Sequence, residues 1–207
     1  MIAKGKEPKK RILDAAVTLF AQKGYAAVGV REIAKTSGVN VAMISYYFDG
    51  KVGILKSIVE EFFDHIYEVY SVVDDESKSL EESRELLIRN LVNFIRGNTD
   101  LAMVTYNELP LDVPEIAELK AERISALLQR LSGFIRRFGL NPSDTLLIGT
   151  IGVSLVGMIF SHFRVRPVLK HILNVEFNDA YYERLIEIIT TLFIEGVTGI
   201  VALKTSE

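Results

Sequence analysis

The chain has 207 residues, of which 49% are hydrophobic and 25% charged, with no cysteine and a formal net charge of -3. That length and apolar content allow one large helical domain, or a small domain joined to a larger one, with a sizeable core. The lack of cysteine excludes a disulfide framework and thiolate metal sites and fits a reducing cytoplasm, and the basic stretch Met1 to Arg11 leads into a segment carrying Asp14 and Lys23 rather than the apolar run of a secretory signal.

The charge is unevenly spread. Residues 1 to 53 hold nine Lys or Arg (Lys4, Lys6, Lys9, Lys10, Arg11, Lys23, Arg31, Lys35, Lys51) against four acids (Glu7, Asp14, Glu32, Asp49), a net of +5 that leaves -8 for the remainder. A basic end on an acidic body suits a protein that meets phosphates at one end only, because electrostatics dominate nonspecific DNA affinity. Lys4 to Arg11 is either a solvated tail or an arm that reaches the minor groove, as homeodomain arms do.

A first helix is expected from Pro8 or Lys9 to Lys23, with Pro8 suited to the first turn, Gly24 to the end, and Ile12, Ala16, Leu19 and Phe20 as its apolar stripe. Tyr25 is expected to pack back on it. The stretch VREIAKTSGVNVAMISYYFDGK, Val30 to Lys51, then reads as two short helices about a tight turn. Ile33 and Ala34 face inward from the first, and Gly38 can take the left-handed conformation that ends it. Val39 is expected to enter the core, Asn40 to cap the second helix, and Ile44 and Phe48 to anchor it. Outward remain Val41, Ala42, Met43, Ser45, Tyr46 and Tyr47, a face without an acid. A helix with such a face fits the major groove of duplex DNA. The alternative is an ordinary helical hairpin whose aromatics are core.

From about Val52 to Val73 a long helix carries Ile54, Leu55, Ile58, Val59, Phe62, Phe63, Ile66 and Tyr70, and it is the candidate lever between head and body. Residues 74 to 79 form a polar linker. Further helices are expected over Leu80 to Arg96, Asp100 to Leu109 with a stop at Pro110, and Glu115 to Phe138, followed by a helix start at Asn141-Pro142-Ser143-Asp144. Thr145 to Phe163 contains no Lys, Arg, Asp or Glu and is near the ~20 residues that span a bilayer. Its Gly149, Gly152, Gly157, Ser154, Ser161 and His162 fit a subunit interface better, as does the last helix, about Asp179 to Leu203.

Residues 10 to 56, with a first helix ending in GY, then VREIA, SGVNVAMISYYF and GK, resemble the DNA-binding domain of the TetR family of transcriptional regulators. The resemblance implies an all-α fold: a three-helix helix-turn-helix domain over residues 1–53 and a larger helical ligand-binding and dimerisation domain over 54–207. It implies that Tyr46, Tyr47 and Lys51 hold phosphates, and that Arg31, Val41, Ala42, Met43 and Ser45 lie on or near base edges. Val28-Gly29 departs from the family, many of whose members have threonines there, and Ser45 stands where many have tyrosine. The resemblance further implies a homodimer whose last two helices pair with their symmetry mates, and a ligand cavity in the body. Candidate lining residues are Phe62, Ile66 and Tyr70, then Phe94, then Met103, Tyr106 and Asn107, then Leu131 and Phe134, and finally Met158 and His162. Plain core explains each more simply, because apolar residues at helical spacing need no ligand to account for them. The expected effector is small and apolar or amphipathic, on the general character of such pockets.

Catalytic signatures are lacking: there is no phosphate loop, no GxSxG and no HExxH, and the glycines at 149, 152 and 157 make no dinucleotide fingerprint. Glu61 and His65, one turn apart, suit an ion pair better than a metal, and no cofactor is expected. The expected protein is therefore a cytoplasmic, ligand-responsive repressor that binds a palindromic operator as a homodimer and is not an enzyme. The competing reading is a helical enzyme or metal protein whose hairpin only resembles a DNA reader.

Overall fold

In the computed structural model, which describes residues 7–108 and 112–204, every regular element is helical. In chain order these are α1 (Pro8–Lys23), α2 (Val30–Ser37), α3 (Val41–Phe48), α4 (Lys51–Val69), α5 (Leu80–Gly97), α6 (Thr99–Met103), α7 (Pro114–Arg137), α8 (Thr145–Arg164), α9 (Arg166–Leu173) and α10 (Asp179–Lys204). A 3-10 turn, Tyr70–Asp74, follows α4, and a π-helical turn, Val104–Glu108, follows α6. The fold is all-α. Lys4 and Lys6 of the basic arm, and the expected helix stop at Leu109-Pro110, lie outside the described residues.

The chain packs as two units: residues through His65 together with Asn98–Ser125, and Ile66–Gly97 together with residues from Ala126 on. The division expected at residue 53 is a different one, drawn on DNA contact rather than on packing.

In the first unit the predicted stripes meet. Ile12, Ala16 and Phe20 of α1, Ile33 and Ala34 of α2, Ile44 and Phe48 of α3, and Ile54, Leu55 and Ile58 of α4 are all buried. Each large apolar side chain so buried contributes roughly 1.5–3 kcal/mol before chain entropy is charged against it. The turn between α2 and α3 forms because Gly38 sits at φ 66, which lets the Val39 N–H reach the Ala34 carbonyl. Val39 itself is half-buried, not part of the core as expected, because a residue that leaves a left-handed turn and precedes an exposed cap lies at the margin of the packing. Gly53 carries a second constraint: a Cβ there would lie 1.5 Å from the Phe48 carbonyl oxygen, so only glycine lets the end of α3 come this close to the start of α4. Charge ties the unit as well, since the Lys10 ammonium donates to Glu61 at 2.6 Å and lies 3.2 Å from Asp14. Burial opposes the Lys10 charge, yet those two carboxylates outweigh it and hold its pKa raised.

The second unit is built on α5, the C-terminal part of α7, α8, α9 and α10. Ser79 and Glu82 start α5 with a reciprocal capping box: the Ser79 N–H donates to the Glu82 carboxylate at 2.8 Å and the Glu82 N–H to the Ser79 hydroxyl at 3.1 Å. Leu87, Ile88, Leu91 and Ile95 of α5, Leu155, Ile159 and Phe163 of α8, and Tyr182, Ile186 and Ile189 of α10 are buried. A smaller cluster of Leu140, Ile148 and Val197 closes the other end of the α8–α10 pair. Arg130 donates to the Tyr67 carbonyl at 2.8 Å and pairs with Asp74, fixing the end of the 3-10 turn.

Four boundaries differ from the sequence reading. α4 ends at Val69 and tightens into the 3-10 turn, with Tyr70 buried at the change. The helix expected over 100–109 is α only to Met103 and π beyond it; the Lys120 ammonium donates to the Thr105 carbonyl at 2.9 Å inside that turn. Asn141 does not cap a helix. Its side chain accepts from the Ser143 N–H in a local turn, and Asp144 caps α8 instead by accepting from the Leu147 N–H. Helix α9 was not expected at all, and none of its residues is buried.

Candidate nucleic-acid interface

Helix α3 is held by its inner positions and presents the rest. Ile44 and Phe48, one turn apart, are 1% and 5% exposed, so the helix cannot roll without losing both contacts. The Asn40 side chain accepts from the Ala42 N–H at 2.9 Å, fixing where α3 begins. At the other end Asp49 takes the left-handed conformation at φ 54 and its N–H closes on the Ser45 carbonyl. Val41, Ala42, Ser45 and Tyr46 are exposed, Tyr46 at 82%, and Met43 and Tyr47 are half-buried. The Tyr46 and Tyr47 rings meet edge to face with centroids 5.0 Å apart, so each limits the other's rotamers.

Arg31 is exposed on the first turn of α2. That helix starts at Val30 with Gly29 at its cap position, where no side chain is present to cap it. Lys51, at the first residue of α4, is half-buried and engaged: its ammonium donates to the Tyr25 carbonyl at 2.6 Å and lies 3.8 Å from the Tyr25 ring centroid. Burial lowers its pKa. Six of the eight predicted DNA-contact residues thus share α3, flanked in sequence by Arg31 and Lys51. The role of Tyr25 beside Lys51 was missed, since a contact between residues 26 apart leaves no periodicity to read.

The predicted ligand residues divide by burial. Phe62, Ile66, Tyr70 and Phe134 are buried; Phe94, Met103, Asn107, Leu131, Met158 and His162 are half-buried; Tyr106 is 42% exposed. Phe62, Met103, Tyr106 and Asn107 belong to the first packing unit and the others to the second. Burial pushes the Tyr70 phenol up to about 12. His162 shares a 2.7 Å hydrogen bond with the Tyr181 hydroxyl, and burial, aided by the Arg166 charge, lowers its pKa. Two open concavities stand out among the described residues. One of about 480 Å³ is lined by residues 23–27 with Asp112 and Val113; the other, of about 350 Å³, lies along α8 at Thr145, Leu146, Gly149, Thr150, Val153 and Ser154. Neither is lined by a predicted ligand residue. Glu61 spends its carboxylate on Lys10, and among the described residues no three His, Asp or Glu side chains gather as a metal site would require.

Residues 12–58 match the family profile described as "Bacterial regulatory proteins, tetR family". The chain is 34% identical over 113 residues to the probable HTH-type transcriptional regulator YttP of Bacillus subtilis, a match spanning 54% of this chain and 55% of that protein's length. It is 32% identical over 133 residues to the fatty acid metabolism regulator protein of Bacillus subtilis, covering 64% of this chain and 69% of that one. To the biofilm operon negative transcriptional regulator IcaR of Staphylococcus aureus it is 30% identical over 130 residues, covering 63% and 68%. Among solved structures, the fatty acid degradation regulator FadR of Bacillus halodurans superposes with a TM-score of 0.74 at 23% identity, over 94% of this chain and 98% of that one. FadR of Bacillus subtilis in complex with stearoyl-CoA superposes with a TM-score of 0.64 at 26% identity, over 90% and 98%.

Proposed function

The chain belongs to the TetR family of bacterial regulatory proteins, a transcriptional regulator with a helix-turn-helix reader, and from that premise we propose that it is a repressor that binds a palindromic operator as a homodimer and is released by an amphipathic effector. The observation that carries this reading is the outward face of α3. It is free of acids, anchored from behind by Ile44 and Phe48, and exposes Tyr46 at 82% with nothing of its own chain to cover it fully. Val41, Ala42, Met43 and Ser45 offer methyl, thioether and hydroxyl groups to base edges, Arg31 a bidentate donor, and Tyr46, Tyr47 and Lys51 donors to phosphate. Residues 1–53 carry +5 against -8 for the rest of the chain, which favours the reader as the part that meets phosphate.

Repression is favoured because IcaR, similar over two thirds of its length, is a negative regulator. A dimer is favoured by the surfaces of α8 and α10: Leu146, Val153 and Leu192 are 81%, 73% and 62% exposed, an apolar display that a lone subunit would leave in water. Helix α8 is long and apolar enough to cross a membrane, but small residues along it suit close approach of a second helix. Operator half-sites would then lie about 34 Å apart or a multiple of it. The effector is proposed to contact the second unit through Ile66, Tyr70, Phe94, Leu131, Phe134, Met158 and His162. A long-chain acyl-CoA is the first to try, since the similar FadR was solved with stearoyl-CoA. Whatever factor the effector takes from DNA affinity, DNA takes from effector affinity. The working compartment is the cytoplasm, where the DNA is.

Fluorescence anisotropy on labelled duplex tests the reader. Arg31→Ala and Tyr46→Ala are expected to weaken binding at least tenfold, the ~1.4 kcal/mol scale of one good base or phosphate contact, while circular dichroism and thermal unfolding stay as in the wild type. Unchanged affinity in both variants would sink the proposal.

A further inference from the structure

Lys51 is not a free cation at the edge of the reader. Its ammonium sits on the Tyr25 ring at 3.8 Å, 5.9 Å from the Phe20 ring centroid, and donates to the Tyr25 carbonyl at 2.6 Å. The Tyr25 ring is itself set by Phe20, whose buried ring it meets edge to face at 5.5 Å. An ammonium has three donors, and here one is taken by a carbonyl while an aromatic face covers one flank. A cation so placed keeps donors for a single further acceptor. We propose that Tyr25 is a positioning residue for DNA binding, its ring and carbonyl holding the Lys51 ammonium so that a backbone phosphate completes the coordination.

The physical advantage is pre-organisation. A lysine stem has four rotatable carbons, and a solvated lysine must lose that freedom when it meets a phosphate. In this protein the Tyr25 ring and carbonyl already restrain that stem. Burial costs the ammonium part of its hydration, which lowers its pKa. Asp112 and Val113 line the same concavity as Tyr25, so the start of α7 borders the group that holds the cation. The competing view is a structural tie: Lys51 joins the loop after α1 to the start of α4 and has no further task.

The proposal rests on Lys51 meeting phosphate, and a double-mutant cycle separates the two claims. Binding to a fixed duplex is measured against salt for the wild type, Lys51→Ala, Tyr25→Leu, Tyr25→Phe and the Lys51→Ala/Tyr25→Leu pair. Lys51→Ala should lower the slope of log affinity against log salt by about one unit per protomer, the signature of one lost phosphate contact. Tyr25→Leu should lower it likewise, the pair should match Lys51→Ala alone, and Tyr25→Phe should keep the wild-type slope. A lowered slope in Lys51→Ala with a wild-type slope in Tyr25→Leu overturns the role of Tyr25 while leaving the phosphate contact standing. An unchanged slope in Lys51→Ala overturns both. Should Tyr25→Leu fail to fold, NMR of the native protein decides: ring current from Tyr25 should shift the Lys51 ε-methylene protons upfield, and added duplex should move them further. Random-coil shifts for those protons overturn the proposal.

Discussion

Gly53 shows how one residue can be required by a contact that local propensity argues against. In a helix interior glycine costs about 1 kcal/mol relative to alanine. Here the alanine Cβ would stand 1.5 Å from a backbone oxygen of Phe48, an atom that cannot rotate away. The steric cost wins: Gly53→Ala is expected to destabilise the protein by roughly 3 kcal/mol, the upper range for overpacking, seen as a lowered midpoint in urea. A midpoint equal to or above that of the wild type would show that α3 and α4 can part freely. Residue-scale features of this kind divide by how local their cause is. Asn40 as a cap and Gly38 in the left-handed region were legible because a cap and a turn are set by residues two to four apart. Gly53 and the Tyr25–Lys51 contact were not, since each depends on a backbone brought in from another element.

At the scale of elements the same rule explains which boundaries were readable. Helices α1, α2 and α3 begin and end within a residue or so of expectation because Pro8, Gly24, Gly38 and Asn40 act within one turn. The π turn at 104–108 and the 3-10 turn at 70–74 were hidden, since both follow from how tertiary contacts finish a helix whose apolar spacing runs on unbroken. Helix α9 was missed although Val168, Leu169, Ile172 and Leu173 recur at helical spacing, because eight residues directly after the long α8 do not stand out as an element of their own. The long helices α8 and α10 carry the prediction that belongs here. Their exposed Val153 and Leu192 are proposed to be covered by a second copy, so the paired substitution Val153→Glu with Leu192→Glu should yield a folded monomer in analytical ultracentrifugation. Burying two carboxylates against their symmetry mates is far costlier than leaving them in water, whereas in a lone chain both positions are already exposed. A variant that still sediments as a dimer would place the interface elsewhere. The ligand site was the least legible part, because residues such as Phe62 and Tyr70 would be buried in any case, and neither concavity described above is lined by them.

Along the sequence of the whole molecule, residues 1–53 carry +5 against -8 for the remainder, which favours the reader as the end of the chain that meets DNA. If two such ends are related by a two-fold axis, a release mechanism needs no new contact. It needs only an effector that binds better when the ends are wrongly spaced for successive major grooves. Helix α4 suits that task as an element, since it starts at Lys51, a residue proposed to touch phosphate, and continues unbroken to Val69 past Ile66, one of those proposed to meet the effector. The central claim is narrower than the switch, however: a dimer reads a palindrome through α3. Selection of bound sequences from a random duplex library at moderate salt, with the mass of the complex on the enriched duplex, tests it most directly. The account predicts an enriched inverted repeat, half-sites about one turn of DNA or a multiple of it apart, with an even number of protomers bound. Weak, salt-sensitive binding with no enriched sequence, or one protomer on a site without symmetry, would contradict it.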